Sequence, residues 1–383
     1  MVAVSREFRI IGSEIVRPQV EDFPPLTIVE CRRLRKRRGF TSTRAGTALA
    51  TRASGPASGG SRGVNDINYR ELVRDASFAA SSHNTQPWKF KIDAERISIL
   101  PDFTRRCPVV DPDDHHLFVS LGCAAENLLL SAEAAGLRGD MAFDESSDGG
   151  TIRIALETAA ACRSPLAASI TRRQCTRAEY SFQPVPASEL KLLDDAGTGA
   201  DGGALLLTDK AQIETVAEYV AEGNVTQLGD RKFKKELAEW IRFNTDEASR
   251  TRDGLSARST GNPEVPRWIG KRFMRVALSA KKQNEKDIRH IRSSAGLAVF
   301  TSEQDDKAHW IGVGRRYERF ALQATALGLR NAFINQPVEV AALRPQLASW
   351  LGLGHRRPDL LVRFGYGPEM PRSLRRPVDE ILL

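Results

Sequence analysis

Few residues in this 383-residue chain could do chemistry, and most of the obvious combinations fall away on spacing. Asp111-Pro112-Asp113-Asp114-His115-His116 gathers carboxylates and imidazoles. Adjacent residues in an Asp/Pro loop rarely converge on one ion, so the segment reads as a plain turn before a helix and no metal is expected. Five cysteines (Cys31, Cys107, Cys123, Cys162, Cys175) lie scattered with no C-x-x-C pair. That points to reduced thiols rather than to a disulfide or zinc framework. Neither G-x-S-x-G nor H-E-x-x-H occurs, which leaves hydrolase chemistry without an anchor. Gly365-Tyr366-Gly367 lacks the strand–glycine–helix context of a dinucleotide fingerprint. What remains is polar and cationic. It comprises the loop from Ser81 to Trp88, Arg172, Arg173 and Arg177, the segment from Asn335 to Glu339, and Arg372, Arg375 and Arg376.

The elements that must position these groups can be read from periodicity. Asn68-x-x-Glu71 has the form of a capping box, with Glu71 reaching back to its cap. Leu72, Val73, Ala76, Ala79 and Ala80 continue it at helical spacing, until the polar loop and Pro87 stop it. Lys89–Ile92 and Ile97–Leu100 read as two short strands around a charged turn. Leu117–Gly136 is a helix apolar on nearly every side, hence a buried one, with Gly136 at the left-handed cap.

That helix recurs 192 residues downstream. Gly122, Glu126, Leu130, Ala132, Ala134, Gly136, Leu137 and Arg138 match Gly314, Glu318, Leu322, Ala324, Ala326, Gly328, Leu329 and Arg330, eight identities in seventeen positions. Several are not apolar, so generic amphipathicity does not account for them, and an ancient duplication does. The helix near Glu71 has its counterpart at Ser188–Asp195. The wider spacing in the second half then implies an insertion of roughly 74 residues, placed at about 223–286, of the length common in lids and dimer arms. Within it Phe233, Leu237, Trp240 and Ile241 form a helical stripe, and 251–266 reads as irregular loop. The expected organisation is a leader over 1–64, a first half over 65–160 and a second half over 161–383.

At this point the residues resemble a known family. Ser81-Ser82-x-Asn84-x-Gln86-Pro87-Trp88 after an apolar helix is similar to the S-S-x-N-x-Q-P-W signature of FMN-dependent nitroreductases. Ile170–Arg177 resembles their R-R-S-x-R opening, Met370–Pro377 their C-terminal basic segment, and Asn335-Gln336-Pro337-Val338-Glu339 the loop beside the flavin ring. The resemblance covers roughly 65–383 and is closest to the Acg-like branch, in which two repeats are fused. It implies an α+β nitroreductase fold, two diverged halves with antiparallel sheets flanked by helices, plus an inserted lid. Because the serine-rich loop occurs only in the first half and the Arg-Arg opening only in the second, one complete FMN site is expected per chain.

The roles implied by that resemblance follow from chemistry. The FMN phosphate is a dianion, and guanidinium groups meet it with paired hydrogen bonds. Arg172, Arg173, Arg177, Arg372 and Arg375 are the candidates. Ser81, Ser82 and Asn84 would bond the ribityl chain or phosphate. Gln86 would lie at the ring edge, or with Trp88 merely close the turn and fill the core. Pro337, Val338, Glu339 and Val340 would pass the flavin N5 and offer backbone donors. Val340 stands where the family often has Gly, and Gln174 where it has Ser; both bear on catalytic efficiency rather than on flavin binding. The expected activity is ping-pong hydride transfer from NADPH or NADH through FMN to a nitroaromatic, quinone or similar small-molecule acceptor. No catalytic side chain is needed, since the cofactor carries the hard step. The rival reading is a flavin-sequestering protein whose lid permits little turnover.

Charge adds little to this. Residues 1–62 hold twelve Arg or Lys against five Asp or Glu, so the net charge of +8 sits mostly in a basic leader. A folded nucleic-acid binder would carry its excess on the fold, so neither nucleic acid nor membrane is expected as a partner. Arg37-Arg38-Gly39-Phe40 resembles a twin-arginine export signal, but Arg44 and Arg52 break the apolar stretch of about 7–15 residues that such a signal needs. A disordered leader, with Ala53–Gly63 as a flexible linker, and a cytoplasmic protein are the reading. No apolar run reaches the ~18 residues of a membrane span. Fused halves make a monomer sufficient, and a homodimer stays open.

Overall fold

The computed structural model describes residues 67–147, 149–199, 202–276 and 278–383; the leader, its twin-arginine motif, its linker and Cys31 lie outside them. Asn68 caps helix α1 (Tyr69–Ser77) by accepting from the Arg70 N–H. Glu71 does not reach back as the capping box would have it; its carboxylate meets Arg74, one helical turn on. The helix also stops at Ser77, so Ala79 and Ala80 are buried in the loop that follows.

The chain then makes the tight hairpin β1 (Trp88–Asp93) and β2 (Arg96–Pro101), the central helix α2 (His115–Ala134), and β3 (Leu137–Asp144) and β4 (Thr151–Thr158). These strands form an antiparallel sheet in the order β1-β2-β4-β3. Along β3 burial alternates, as it must in a sheet with one face on the core and one on water.

The second half repeats the plan. Helix α3 (Ala187–Gly197) corresponds to α1, and the strands β5 (Ala204–Leu207), β6 (Gly296–Ser302), β7 (Arg330–Phe333) and β8 (Arg357–Gly365) form a sheet in the order β5-β6-β8-β7, again antiparallel. Between β6 and β7 runs α8 (Lys307–Ala326), whose two ends fall at the positions matching those of α2 in the repeat. Here β6 and β8 are buried at every residue. The reason is a second cover. Helices α4 (Lys210–Gly229) and α7 (Ala280–Arg292) lay Ile213, Val216, Val220 and Ile291 on the sheet face opposite α8. A sheet covered on both sides reads as continuous apolar runs, which is why periodicity over β6 and β8 carries no strand signal of its own.

These helices correct the expected bounds of the insertion. It occupies the whole of 208–295, between β5 and β6, where the first half has only the Ala94-Glu95 turn of its hairpin. Helices α4 and α7 carry ordinary apolar faces, so only the polar middle stood out in sequence. In that middle are α5 (Arg231–Trp240) and α6 (Arg267–Val276). Ile241 leaves the helical stripe to pair with Leu255 in a two-residue parallel bridge, and 251–266 includes one helical turn at Ala257–Thr260.

The two central helices cross in the core, and each does so at a glycine. A Cβ on Gly122 would drive into the Ile311 carbonyl of α8, and one on Gly314 into the Val119 carbonyl of α2. Gly122 and Gly314 are repeat equivalents, as are Val119 and Ile311, so the contact is reciprocal, as in an isologous interface. Around it Leu121, Ala125, Phe320 and Ala321 are fully buried. By length and composition α2 is apolar enough to cross a membrane, contrary to the sequence expectation, but 78% of that stretch is buried as core. Among the described residues, Cys107, Cys123, Cys162 and Cys175 form no disulfide.

Backbone-to-backbone packing leaves no room for even a methyl group. Gly122→Ala and Gly314→Ala should each lower stability by roughly 2–3 kcal/mol, the upper end of overpacking penalties. Because the two sites share one crossing, the double variant should lose less than the sum. Urea denaturation of the three variants measures both; additive losses would mean the glycines do not form one contact.

Candidate functional site

The serine-rich loop after α1 is held in an uncommon shape. His83, Asn84 and Gln86 all take positive φ (49°, 54° and 53°), a region that side chains with a Cβ enter at some expense in energy. The hydrogen bonds that hold it explain the residue types. Asn84 donates its amide to the Gly254 carbonyl (3.1 Å) and the Leu374 carbonyl (3.2 Å), and accepts from Arg375 (2.9 Å). Gln86 donates to the Arg252 carbonyl (2.9 Å) and accepts from the Arg376 N–H (2.8 Å). These two side chains therefore clasp the first-half loop to the insertion and to the C-terminal segment. Gln86 is fully buried and lines neither of the two cavities that adjoin the loop. Its side chain is engaged in closing the turn.

Beneath the clasp lies a small cavity of about 80 Å³ bounded by Ser81, Asn84, Arg173, Arg177, Arg372 and Arg375. Arg173 is buried with Glu318 of α8, Nε to Oε1 2.9 Å, and donates to the Phe78 carbonyl at 2.7 Å. Arg375 caps the end of α1, donating to the carbonyls of Ser77, Phe78 and Ala79. Burial, and after it the Arg173 guanidinium, push the Arg375 pKa down to about 9. Burial likewise lifts Glu318 above the usual carboxylate range, and Arg173 offsets only part of that. Arg372 donates to the Thr171 carbonyl. Arg177 makes no hydrogen bond or ion pair among the described residues. Ser81 accepts from the Gln86 N–H at 3.1 Å, which leaves its own proton to donate. Arg172 departs from expectation: it is exposed, donates to the Thr325 carbonyl at 3.2 Å and lies outside the cavity. It sits beside the turn that carries Arg173, but on the outer side.

A larger cavity of about 270 Å³ adjoins the first, and Ala80, Ser81, Arg177, Leu255 and Phe333 wall both. Its floor holds Ser82, His83, His116, Ser120, Gln336 and Glu339. Leu228, Phe233, Leu237 and Leu278, all from the insertion, close the other side, so the inserted helices roof the cavity. The insertion is pinned to the first half where Arg105 meets Asp253, itself held by Arg242 of the insertion (2.6 Å), and to its own half where Glu339 accepts from Gln227 of α4 at 2.6 Å. Pro337 and Val338 are buried behind the wall and do not line it. The amides of Val338, Glu339 and Val340 already donate to Asn335 and Gln336 in one helical turn. The expected row of free backbone donors is therefore spent, and the wall is made of the side chains Asn335, Gln336 and Glu339.

Two like α+β halves crossed at their central helices define a fused pseudo-dimer, with a cationic cavity lined from both halves and, adjoining it, a second cavity roofed by the insertion. Comparison with known proteins places relatives beside it. No family model matches the chain. Over 345 residues it is 26% identical to a Mycobacterium tuberculosis H37Rv protein named "Putative NAD(P)H nitroreductase Rv3131", covering 87% of this chain and 96% of that one. It is 23% identical over 339 residues to the same organism's "Putative NAD(P)H nitroreductase acg", covering 82% and 94%. The resemblance carried by the sequence motifs thus extends along most of the chain. Among solved structures, the FMN-dependent nitroreductase NfnB of Mycobacterium smegmatis in complex with NADPH aligns with 56% of this chain and 96% of its own, at 15% identity and a TM-score of 0.35. A likeness that loose settles nothing by itself.

His83 gives the site a pH dependence. Burial, then the Arg177 charge and His116, lower its pKa from 6.5 to about 4. Between those values the unfolded chain holds a proton that the folded one does not. Stability is therefore full above about pH 6.5, falls as pH drops and has lost this contribution near pH 4. With some residual exposure of the loop, the loss should be roughly 1–3 kcal/mol. His83→Asn keeps a residue tolerant of positive φ. Chemical denaturation at pH 7 and pH 5 should show a smaller drop for the variant than for the parent; equal drops would assign the effect to other groups.

Proposed function

We propose that the chain binds FMN, phosphate in the smaller cavity and ring in the larger, and works as an NAD(P)H-dependent oxidoreductase of nitroreductase type. The observation that carries the reading is an imbalance of charge. Arg173, Arg177, Arg372 and Arg375 surround one small cavity, Arg173 buried and Arg375 half-buried within its field, and Glu318 is the carboxylate paired there. Buried charge without a counter-ion is unfavourable, so the arrangement lacks an anion. A phosphate monoester dianion suits it, with Ser81 as a hydroxyl donor. The adjoining cavity mixes Leu228, Phe233, Leu237 and Leu278 with polar residues such as Ser82, Ser120, Asn224 and Gln336, which suits a flat heteroaromatic ring with polar edges. The names of the relatives agree with this reading.

Bound FMN would supply the centre that takes hydride from NAD(P)H and passes it on. The chain's own residues do the rest. Arginines neutralise the phosphate, the clasp of Asn84 and Gln86 holds the loop against insertion and C-terminal segment, and the roof excludes water. Acceptors such as nitroaromatics or quinones would share the roofed cavity, so exchange of reductant for acceptor requires the inserted helices to move.

The purified protein should show a flavin spectrum that bleaches on anaerobic addition of NADPH or NADH. A spectrum that persists with both, yet yields to dithionite, would leave flavin binding without the activity, and no flavin after reconstitution would end the proposal. Arg177→Ala should weaken FMN by about 1.5–3 kcal/mol, roughly ten- to a hundredfold in Kd. Arg172→Ala should leave it unchanged. Fluorescence titration of the apoprotein reads both, and equal weakening by the two would remove the phosphate assignment.

A further inference from the structure

His116 has a place in the larger cavity that neither its sequence context nor the reading above uses. It lies in the first turn of helix α2, is buried, and forms part of the cavity wall. Its Nδ1 faces Asp111 Oδ1 at 3.5 Å. The Asp111 carboxylate is itself immobilised, accepting from the His116 N–H at 2.9 Å and the Leu117 N–H at 3.0 Å. Both carboxylate oxygens thus serve as a helix cap, and one of them also fixes the imidazole. The other ring nitrogen, Nε2, is buried and has no protein partner among the described residues. Buried polar groups are ordinarily satisfied, and this one, on a residue of the cavity wall, is left without a partner from the protein itself.

Building on the oxidoreductase reading, we propose that His116, aligned by Asp111, donates the proton that completes reduction of the acceptor, and that the acceptor is a quinone or a similar conjugated carbonyl compound. The balance is simple. NAD(P)H is oxidised to NAD(P)⁺ and provides, by way of the bound flavin, two electrons and one hydrogen. The Nε2–H bond of imidazolium breaks as the acceptor's O–H forms, a hydroquinone leaves, and neutral His116 takes a proton from water.

The surrounding charges place a proton on this histidine in preference to its neighbours. Burial works against the charged ring, but Asp111 outweighs it, with Glu339 adding to the effect and Arg344 opposing, so His116 titrates above its ordinary value. His115, whose ring lies 4.5 Å away beside Asp359, is held neutral by burial, and His83 titrates only near 4. Among the three imidazoles, His116 is the one whose surroundings raise its titration above the ordinary histidine value.

The test separates the two half-reactions in the holoprotein. With His116→Gln, reoxidation of the reduced protein by 1,4-benzoquinone should slow about a hundredfold more than anaerobic bleaching by NADPH does, the scale of general acid catalysis. The parent's reoxidation should also fall as pH rises through the His116 titration, and the variant should lose that fall. A variant that reoxidises at the parental rate with the parental pH profile overturns the proposal. ¹⁵N-histidine NMR of the parent gives a second readout, independent of turnover and of whether the variant folds. One imidazole should stay protonated above pH 6.5, and His116 neutral at pH 6.5 overturns the proposal equally. Failure of NADPH to bleach the parent would remove the reading beneath, and the NMR titration would still decide whether His116 holds its proton.

Discussion

The crossing of α2 and α8 is the constraint on which the remaining structure depends. Gly122 and Gly314 let the two backbones meet without intervening side chains, and each faces the repeat equivalent of its own neighbour. A crossing this close fixes both the angle and the register of the halves. It sets the end of α1, in the first half, beside Arg173 and Arg375, in the second. Glu318, one helical turn beyond Gly314, then reaches Arg173 and the Ala80 N–H together. In the repeat position Glu126 meets Arg315 at 2.8 Å instead. One crossing, with near twofold symmetry, thus carries two different carboxylate pairs, and only one of them borders the cationic cavity.

The cavity owes its character to the way its arginines are held. Arg375 is anchored by three main-chain carbonyls at the end of α1 and Arg173 by a fourth bond to Phe78. Helix C-termini leave carbonyls unpaired and carry partial negative charge, so a guanidinium is a fitting cap. The cap, however, is an incomplete answer to one buried and one half-buried cation. Burial and Arg173 work against the charge of Arg375 and depress its pKa to about 9. The proposed phosphate would relieve both, and would thereby couple ligand binding to the docking of α1 through the same two side chains.

Sequence made the halves legible because the identities between α2 and α8 include glycine, glutamate and arginine, residues that core packing alone does not select. The loop from Ser81 to Trp88 and the arginine clusters were legible for a similar reason, as polar groups set between apolar elements. What sequence could not supply was direction. Arg172 and Arg173 are neighbours, yet one faces solvent and the other Glu318. Asn84 and Gln86 stand in a binding motif but spend their amides on the Gly254 and Arg252 carbonyls, contacts some 170 residues distant in the chain. The insertion was placed by its polar middle because α4 and α7 bury apolar faces like any core helix. His116 was passed over with its turn, since nothing local distinguishes a capping aspartate from one that also orients an imidazole.

The asymmetry of the insertion decides which of the two halves' interfaces can become an enclosed site. Opening the hairpin turn in the second half, at the position that Ala94-Glu95 keeps closed in the first, allows 208–295 to leave the sheet edge, cover the outer face with α4 and α7, and pass over the first-half loop. Its contact there is not incidental. Gly254 and Arg252 take up the amides of Asn84 and Gln86, and Asp253 lies between Arg242 and Arg105. The loop would otherwise hold three residues at positive φ with its polar side chains unanswered. Roof and loop therefore stabilise one another, and neither keeps this shape alone. Motion of the 252–254 segment would break bonds from Asn84 or Gln86, and the same side chains tether Leu374 and Arg376 beside the cationic cavity. Displacement of that part of the insertion and the setting of the proposed phosphate site would thereby be mechanically linked.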